Sequence, residues 1–152
     1  MNTLSRVKKF VVIFVAVWLV GLYGQATALL LYVGPGEAYE TIGAAIADSQ
    51  NGYTIIVKDG TYTENLDVDK SIHILSENGS EHSTVVSADV NDHLFYVTAA
   101  DVFVDGFTVY PPTATGETCG ITVMADNCAI VNNRCGLSET QTNVVGICLF
   151  DT

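Results

Sequence analysis

The second half of the chain repeats itself at a fixed interval: Val102, Val104, Val109, Gly120, Ile121 and Val123 return as Cys128, Ile130, Cys135, Gly146, Ile147 and Leu149. A fixed period of about 20 to 50 residues marks a stacked repeat architecture. Between the matched positions lie short apolar runs separated by Gly, Asn, Asp and Thr, with no helical pattern, so each unit reads as one coil of β-structure. Val102, Val104 and Val109 alternate with Phe103, Asp105 and Thr108. One repeat later Cys128, Ile130 and Cys135 alternate with Ala129, Val131 and Arg134. One face is small and apolar in both units. A unit of this kind cannot bury that face alone and must stack on a neighbour. The expected fold is therefore all-β, a single-stranded parallel β-helix.

A segment that does not belong to the coil precedes it. Arg6, Lys8 and Lys9 stand before an apolar run over residues 10–22, and Ala26-Thr27-Ala28 supplies the small residues of an A-x-A cleavage site. The run is shorter than the roughly 20 residues a spanning helix needs. Residues 1–28 are read as a secretory signal peptide cut after Ala28, which places the remainder outside the cytoplasm and leaves it without an integral membrane segment. The competing reading is an uncleaved anchor lengthened by Leu29 to Leu31.

Removing residues 1–28 takes away half of the basic residues. Lys58, Lys70 and Arg134 remain against 17 acidic residues, so the charge is 3 − 17 = −14. That argues against nucleic acid and against anionic lipid surfaces as partners. A diffuse acidic surface is compatible with calcium, with a cationic partner or simply with solubility.

Four cysteines in an exported chain raise the question of disulfides. Cys128 and Cys135 occupy the places of Val102 and Val109 and are read as small core residues. Cys119 and Cys148 have no evident stacked partner, and the disulfide state of all four stays open. No C-x-x-C pair with a nearby His suggests a metal site.

Residues 29–52 read as an N-terminal strand over 30–33, the turn Gly34-Pro35-Gly36, and a short helix capped by Thr41. In it Ile42, Ala45, Ile46 and Ser49 fall on one face, with Asn51-Gly52 as the stop. Its expected role is to cover the open apolar end of the solenoid. Residues 53–152 are the coils, with strands expected over 54–57, 66–68, 72–75, 85–87, 94–97 and 102–109 and turns at Asp59-Gly60 and Asn78-Gly79. Loops over 111–118 and 138–143 leave the coil and are natural binding surfaces. Gly106 stands where Asn132 stands one coil later, which fits a turn of unusual φ, and Asn132-Asn133 fit side chains that bond neighbouring rungs. The open coil after Gly146 implies either truncation of a longer solenoid or association through that end.

Tyr39-Glu40-Thr41-Ile42, Ala45-Ile46 and the run from Ile55-Ile56-Val57-Lys58-Asp59-Gly60 to Leu66-Asp67-Val68 resemble the opening of right-handed parallel β-helix proteins of the pectin-lyase-like superfamily. The stretch is similar to the start of pectin methylesterases. It is equally similar to secreted archaeal and bacterial β-helix repeat proteins related to a periplasmic copper-accessory family. Asp126-Asn127-Cys128-Ala129-Ile130-Val131-Asn132-Asn133-Arg134-Cys135 and Gly146-Ile147-Cys148-Leu149 resemble the repeat of the second group. The resemblance implies a right-handed coil. It implies no one activity, since the scaffold carries lyases, hydrolases, esterases and non-catalytic surface proteins.

Catalytic positions of those enzymes do not transfer. The esterase pattern expects a Gln within 119–123, where Cys-Gly-Ile-Thr-Val stands, and an Asp-Thr-Leu stretch after Cys135, where Gly136-Leu137-Ser138 follows. A lyase needs clustered carboxylates for calcium and an Arg or Lys base. The residues that come nearest are Asp105, Asp126 and Arg134, and under the repeat register Arg134 matches Thr108 and faces outward. His73, His82 and His93 lack metal-ligand spacing, and Asn78-Gly79-Ser80 is a glycosylation sequon on a turn. No catalytic, cofactor or metal site is assigned. The expected function is an exported, non-catalytic β-helix module of the cell surface that contacts polysaccharide along its coil. The alternative is the N-terminal part of a carbohydrate-active enzyme of the pectin esterase or polysaccharide lyase type.

Overall fold

The computed structural model describes residues 29–89, 91–110, 119–136 and 145–150. The expected signal peptide over 1–28 and the loops expected over 111–118 and 138–143 lie outside them. In chain order the elements are β1 (Leu30–Val33), α1 (Ile42–Asp48), β2 (Thr54–Val57), β3 (Gly60–Thr63), β4 (Leu66–Val68), β5 (His73–Ser76), β6 (Ser83–Val86) and β7 (Phe95–Val97). Then follow β8 (Phe103–Asp105), β9 (Thr108–Tyr110), β10 (Cys119–Val123), β11 (Ala129–Val131), β12 (Arg134–Cys135) and β13 (Val145–Leu149).

Each strand pairs in parallel with the strand one coil away. Three sheets result: sheet A in the order β1-β2-β5-β8-β11, sheet B in the order β3-β6-β9-β12, and sheet C in the order β4-β7-β10-β13. The described residues form a parallel β-solenoid of about four turns standing on β1 and α1, and among them all regular structure apart from that helix is β. Stacking follows the alternation in the sequence. Leu31, Ile55, Ile74, Val104 and Ile130 form one column through sheet A. Tyr62, Val85, Val109 and Cys135 form another through sheet B. In sheet C the column is Leu66, Phe95, Ile121 and Ile147. Phe107 fills the centre, its ring 5.9 Å from that of Phe95. Burying each such aliphatic or aromatic side chain contributes about 1.5–3 kcal/mol.

Corners recur as faithfully as columns. Asp101 and Asn127 have φ of 60° and 56°, and Gly106 and Asn132 have φ of 78° and 54°. Asx residues and glycine enter this left-handed region at least cost. At the second corner Asn133 spans two rungs: its Nδ2 donates to the Val104 carbonyl at 2.9 Å, and its Oδ1 accepts from the Phe107 amide at 2.8 Å. Asn132 Nδ2 donates to Asp105 Oδ1 at 2.8 Å. The expected bonding of Asn side chains between rungs is thus present.

Two local expectations need correction. Asp59-Gly60 does not stand outside the strands; Gly60 opens β3, whose Tyr62 enters the core and donates its hydroxyl to the Lys58 carbonyl at 2.9 Å. Residues 102–109 do not form one strand, because the chain turns from sheet A to sheet B at Gly106-Phe107. An apolar Phe107 at the corner is fully buried in the core, so the apolar pattern runs on through the bend.

The helix is held at both ends by charges from the coil. Ile42 and Gly43 amides donate to the two Glu64 carboxylate oxygens at 2.9 and 2.8 Å, and the Ala44 amide donates to Thr41 Oγ1 at 3.3 Å. At the other end Lys70 Nζ donates to the Ile46 and Ala47 carbonyls at 2.7 and 2.8 Å. Groups that a helix leaves unpaired at its ends are satisfied here, with charge of the favourable sign at each terminus. Ile42, Ala45 and Ile46 are buried against the first turn. The helix closes the end of the solenoid as its sequence suggested.

Candidate functional site

The three sheets present three outer faces, and the pairing register decides what each carries. On sheet A the outward rows are Tyr32, Ile56, Leu75, Asp105 and Val131, and beside them Leu30, Thr54, His73, Phe103 and Ala129. The His73 and Phe103 rings meet at 5.5 Å. On sheet C the outward row is Asp67, Tyr96, Thr122 and Cys148. On sheet B it is Thr61, Thr84, Thr108 and Arg134, with Thr63, Val86 and Tyr110 alongside.

Among the described residues, the sheet B face combines open polar groups, an aromatic ring and a depression. A shallow groove of about 300 Å³ runs over it, lined among others by Glu81, Thr84, Thr108, Tyr110, Arg134 and Gly136. Thr108 Oγ1 donates to the Ser80 carbonyl at 2.5 Å, which fixes its rotamer and leaves its oxygen able to accept. Among the described residues the Thr61 and Thr84 hydroxyls have no protein partner. Tyr110 is 37% exposed. Its ring lies across Gly136, where a Cβ would come within 2.3 Å of Tyr110 Cε1, so residue 136 must be glycine for the ring to lie there. Arg134 Nη1 reaches Glu81 Oε1 at 3.5 Å, with side chains 63% and 79% exposed. Such a pair is screened by water and free to regroup around a ligand.

Sheet C carries a tighter cluster. Asn65 holds the loop after β6 by its backbone: Oδ1 accepts from the Ala88 and Asp89 amides at 2.9 and 2.7 Å, and Nδ2 donates to the His93 carbonyl at 2.8 Å. The loop so held stacks the His93 ring on Tyr96 at 5.5 Å and 12° and sets His93 Nδ1 3.0 Å from Thr122 Oγ1. A hydroxyl beside an imidazole is the pairing of a nucleophile with its base. Thr122 is only 1% exposed, so here the contact anchors the loop and the hydroxyl is out of a substrate's reach.

Comparison with family models, with curated proteins and with solved structures returned no match. Function is therefore read from the geometry alone.

The residues singled out from sequence are scattered. Asp105 lies on the outer side of sheet A, bonded to Asn132. Asp126 is exposed in the turn from β10 to β11, where its carbonyl accepts from the Asp101 amide at 3.2 Å. Arg134 lies on sheet B, outward above Thr108 as its register implied. The structure does not bring these three to one face. His73, His82 and His93 are likewise apart; His82 Nδ1 lies 3.5 Å from Asp59 Oδ2. Asn78 is exposed, its Nδ2 donating to Asp59 Oδ1 at 2.8 Å. Among the described residues no three of His, Cys, Asp and Glu come together as a metal site, and no helix is long and apolar enough to cross a membrane.

The cysteines divide. Cys128 is half-buried and Cys135 exposed, both as free thiols, while Cys148 is disulfide-bonded. Cys135 keeps the inward register expected of it, yet it is not the buried core residue its spacing suggested. It sits on the last strand of sheet B, with no further rung over it among the described residues. Partial burial still pushes its thiol pKa up, which lowers its thiolate fraction at neutral pH.

Proposed function

We propose that the protein is an exported, non-catalytic β-solenoid module of the pectin-lyase-like type that binds polysaccharide along sheet B. The observation that carries this reading is the groove in which Tyr110, its ring lying over Gly136, stands beside a row of outward threonines. Sugar rings are recognised by an apolar face against an aromatic ring and by hydroxyls that both donate and accept, and this row offers both. A solenoid adds rigidity, so little conformational entropy is lost on binding.

Binding rests on Tyr110. Tyr110→Ala should weaken retention on immobilised polysaccharide at least about tenfold, equivalent to about 1.4 kcal/mol, while leaving the melting temperature close to that of the parent. Affinity electrophoresis against a panel of plant and microbial glycans reads this directly. Parent protein that ignores every glycan, or a variant that binds like the parent, would remove the proposal.

Export carries its own test. Expressed with residues 1–28 in a secreting host, the protein should be recovered outside the cytoplasm with Leu29 as its first residue. N-terminal sequencing that finds Met1, with the protein in the membrane fraction, would favour the anchor instead.

A further inference from the structure

The sheet B face restricts which polysaccharide fits. Thr61, Thr84 and Thr108 are consecutive register partners, so their side chains recur once per rung, at about 4.8 Å along the solenoid axis. That spacing is close to the length of one hexopyranose unit in an extended β-linked chain. Sugar hydroxyls of successive residues can then meet successive threonines without bending the glycan. A coiled or strongly branched chain loses this match after one rung.

Charge narrows the class further. Residues 29–152 carry three basic and 17 acidic residues, and the two charges lining the groove, Arg134 and Glu81, face each other and cancel. A chain bearing one carboxylate per sugar would be repelled by the molecule as a whole and would meet one cation in the groove for its several carboxylates, with Glu81 beside that cation. Building on the glycan-binding reading above, we infer that the ligand is a neutral, extended β-linked polysaccharide. It lies parallel to the solenoid axis with one sugar per rung over Thr61, Thr84 and Thr108, flanked at the Thr108 rung by Tyr110 from the neighbouring row.

Val86 stands on the outward side beside Thr84, in register with Tyr110, so Val86→Cys sets a reporter thiol against the threonine row. Cys128, a free thiol preceding β11, serves as the control. The full-length variant is alkylated with iodoacetamide, and labelling of each cysteine is followed by peptide mass spectrometry. Cellotetraose, xylotetraose or mannotetraose, at roughly ten times its dissociation constant, should slow labelling at position 86 by about tenfold and leave Cys128 unchanged. Cellobiose, spanning two rungs, should require a much higher concentration. Tetragalacturonate at physiological ionic strength should give no protection. Protection by tetragalacturonate but by none of the neutral tetrasaccharides would overturn the inferred class while the glycan-binding reading survived. Equal protection by disaccharide and tetrasaccharide would overturn the alignment with the threonine row. Protection by none of them, together with failure on the glycan panel, would remove both.

Discussion

Val104→Asp should abolish the folded state. Val104 is fully buried in the middle of the column that runs from Leu31 to Ile130, with Ile74 and Ile130 as its register partners. A carboxylate there has no counter-ion and no hydrogen-bond donor in the column, and a buried unpaired charge costs more than about 4 kcal/mol. In a solenoid each rung is stabilised chiefly by its neighbours, so a rung lost in the middle separates the two ends from each other. Far-UV circular dichroism should show loss of β-structure at room temperature. Phe103→Asp, at the neighbouring position on the outward side, should keep the fold. If both variants fold alike, the assignment of inward and outward rows in sheet A is wrong.

Asn65→Ala is the second large effect, and it acts on a loop. One amide side chain satisfies two backbone amides and the His93 carbonyl, all far along the chain from it. Its loss should cost about 2 kcal/mol, since each hydrogen bond contributes on the order of 1 kcal/mol and water replaces part of those at exposed positions. A drop of roughly 8 °C in melting temperature follows for a chain of this size. The more telling readout is local. Amide exchange at Ala88 and Asp89 should accelerate strongly, and the stacking of His93 on Tyr96 should loosen with it, while the amides of sheets A and B keep their protection. Asn65→Asp, which keeps the acceptor and loses the donor, should fall between. Unchanged exchange at Ala88 in the alanine variant would mean that the loop is held by other contacts.

What the amino-acid pattern reveals depends on how evenly the coil is spaced. Val104 to Ile130, Val109 to Cys135, Phe95 to Ile121 and Ile121 to Ile147 are all steps of equal length along the chain, and the repeat is visible there. In sheet A the earlier steps, from Leu31 to Ile55, on to Ile74 and then to Val104, all differ, because the loops vary in length while the rungs do not. No fixed period can find those columns. The threonine row was hidden for the same reason: Thr61 to Thr84, Thr84 to Thr108 and Thr108 to Arg134 are three unequal steps. Corners misled differently. Phe107 continues an apolar pattern through a bend, and Gly60 follows Asp59 in a pair that usually marks a turn yet here enters a strand. By contrast, the start of α1 was legible, because its cap at Thr41 and its apolar spacing are local signals, while its end comes at Asp48 with Ser49 as the cap, ahead of the Asn51-Gly52 stop. Its partners Glu64 and Lys70, well downstream of it, carry no local mark.

The first rung has β1 in sheet A, but α1 takes the place that strands would hold in sheets B and C. A helix pairs its own amides and carbonyls internally and offers no ladder to a further strand, so the floor is closed beneath sheets B and C, while β1 still presents a strand edge beneath sheet A. A further rung, or a second molecule, could continue only one of the three sheets from below. The scaffold is thereby directional, its two ends unequal as templates for pairing.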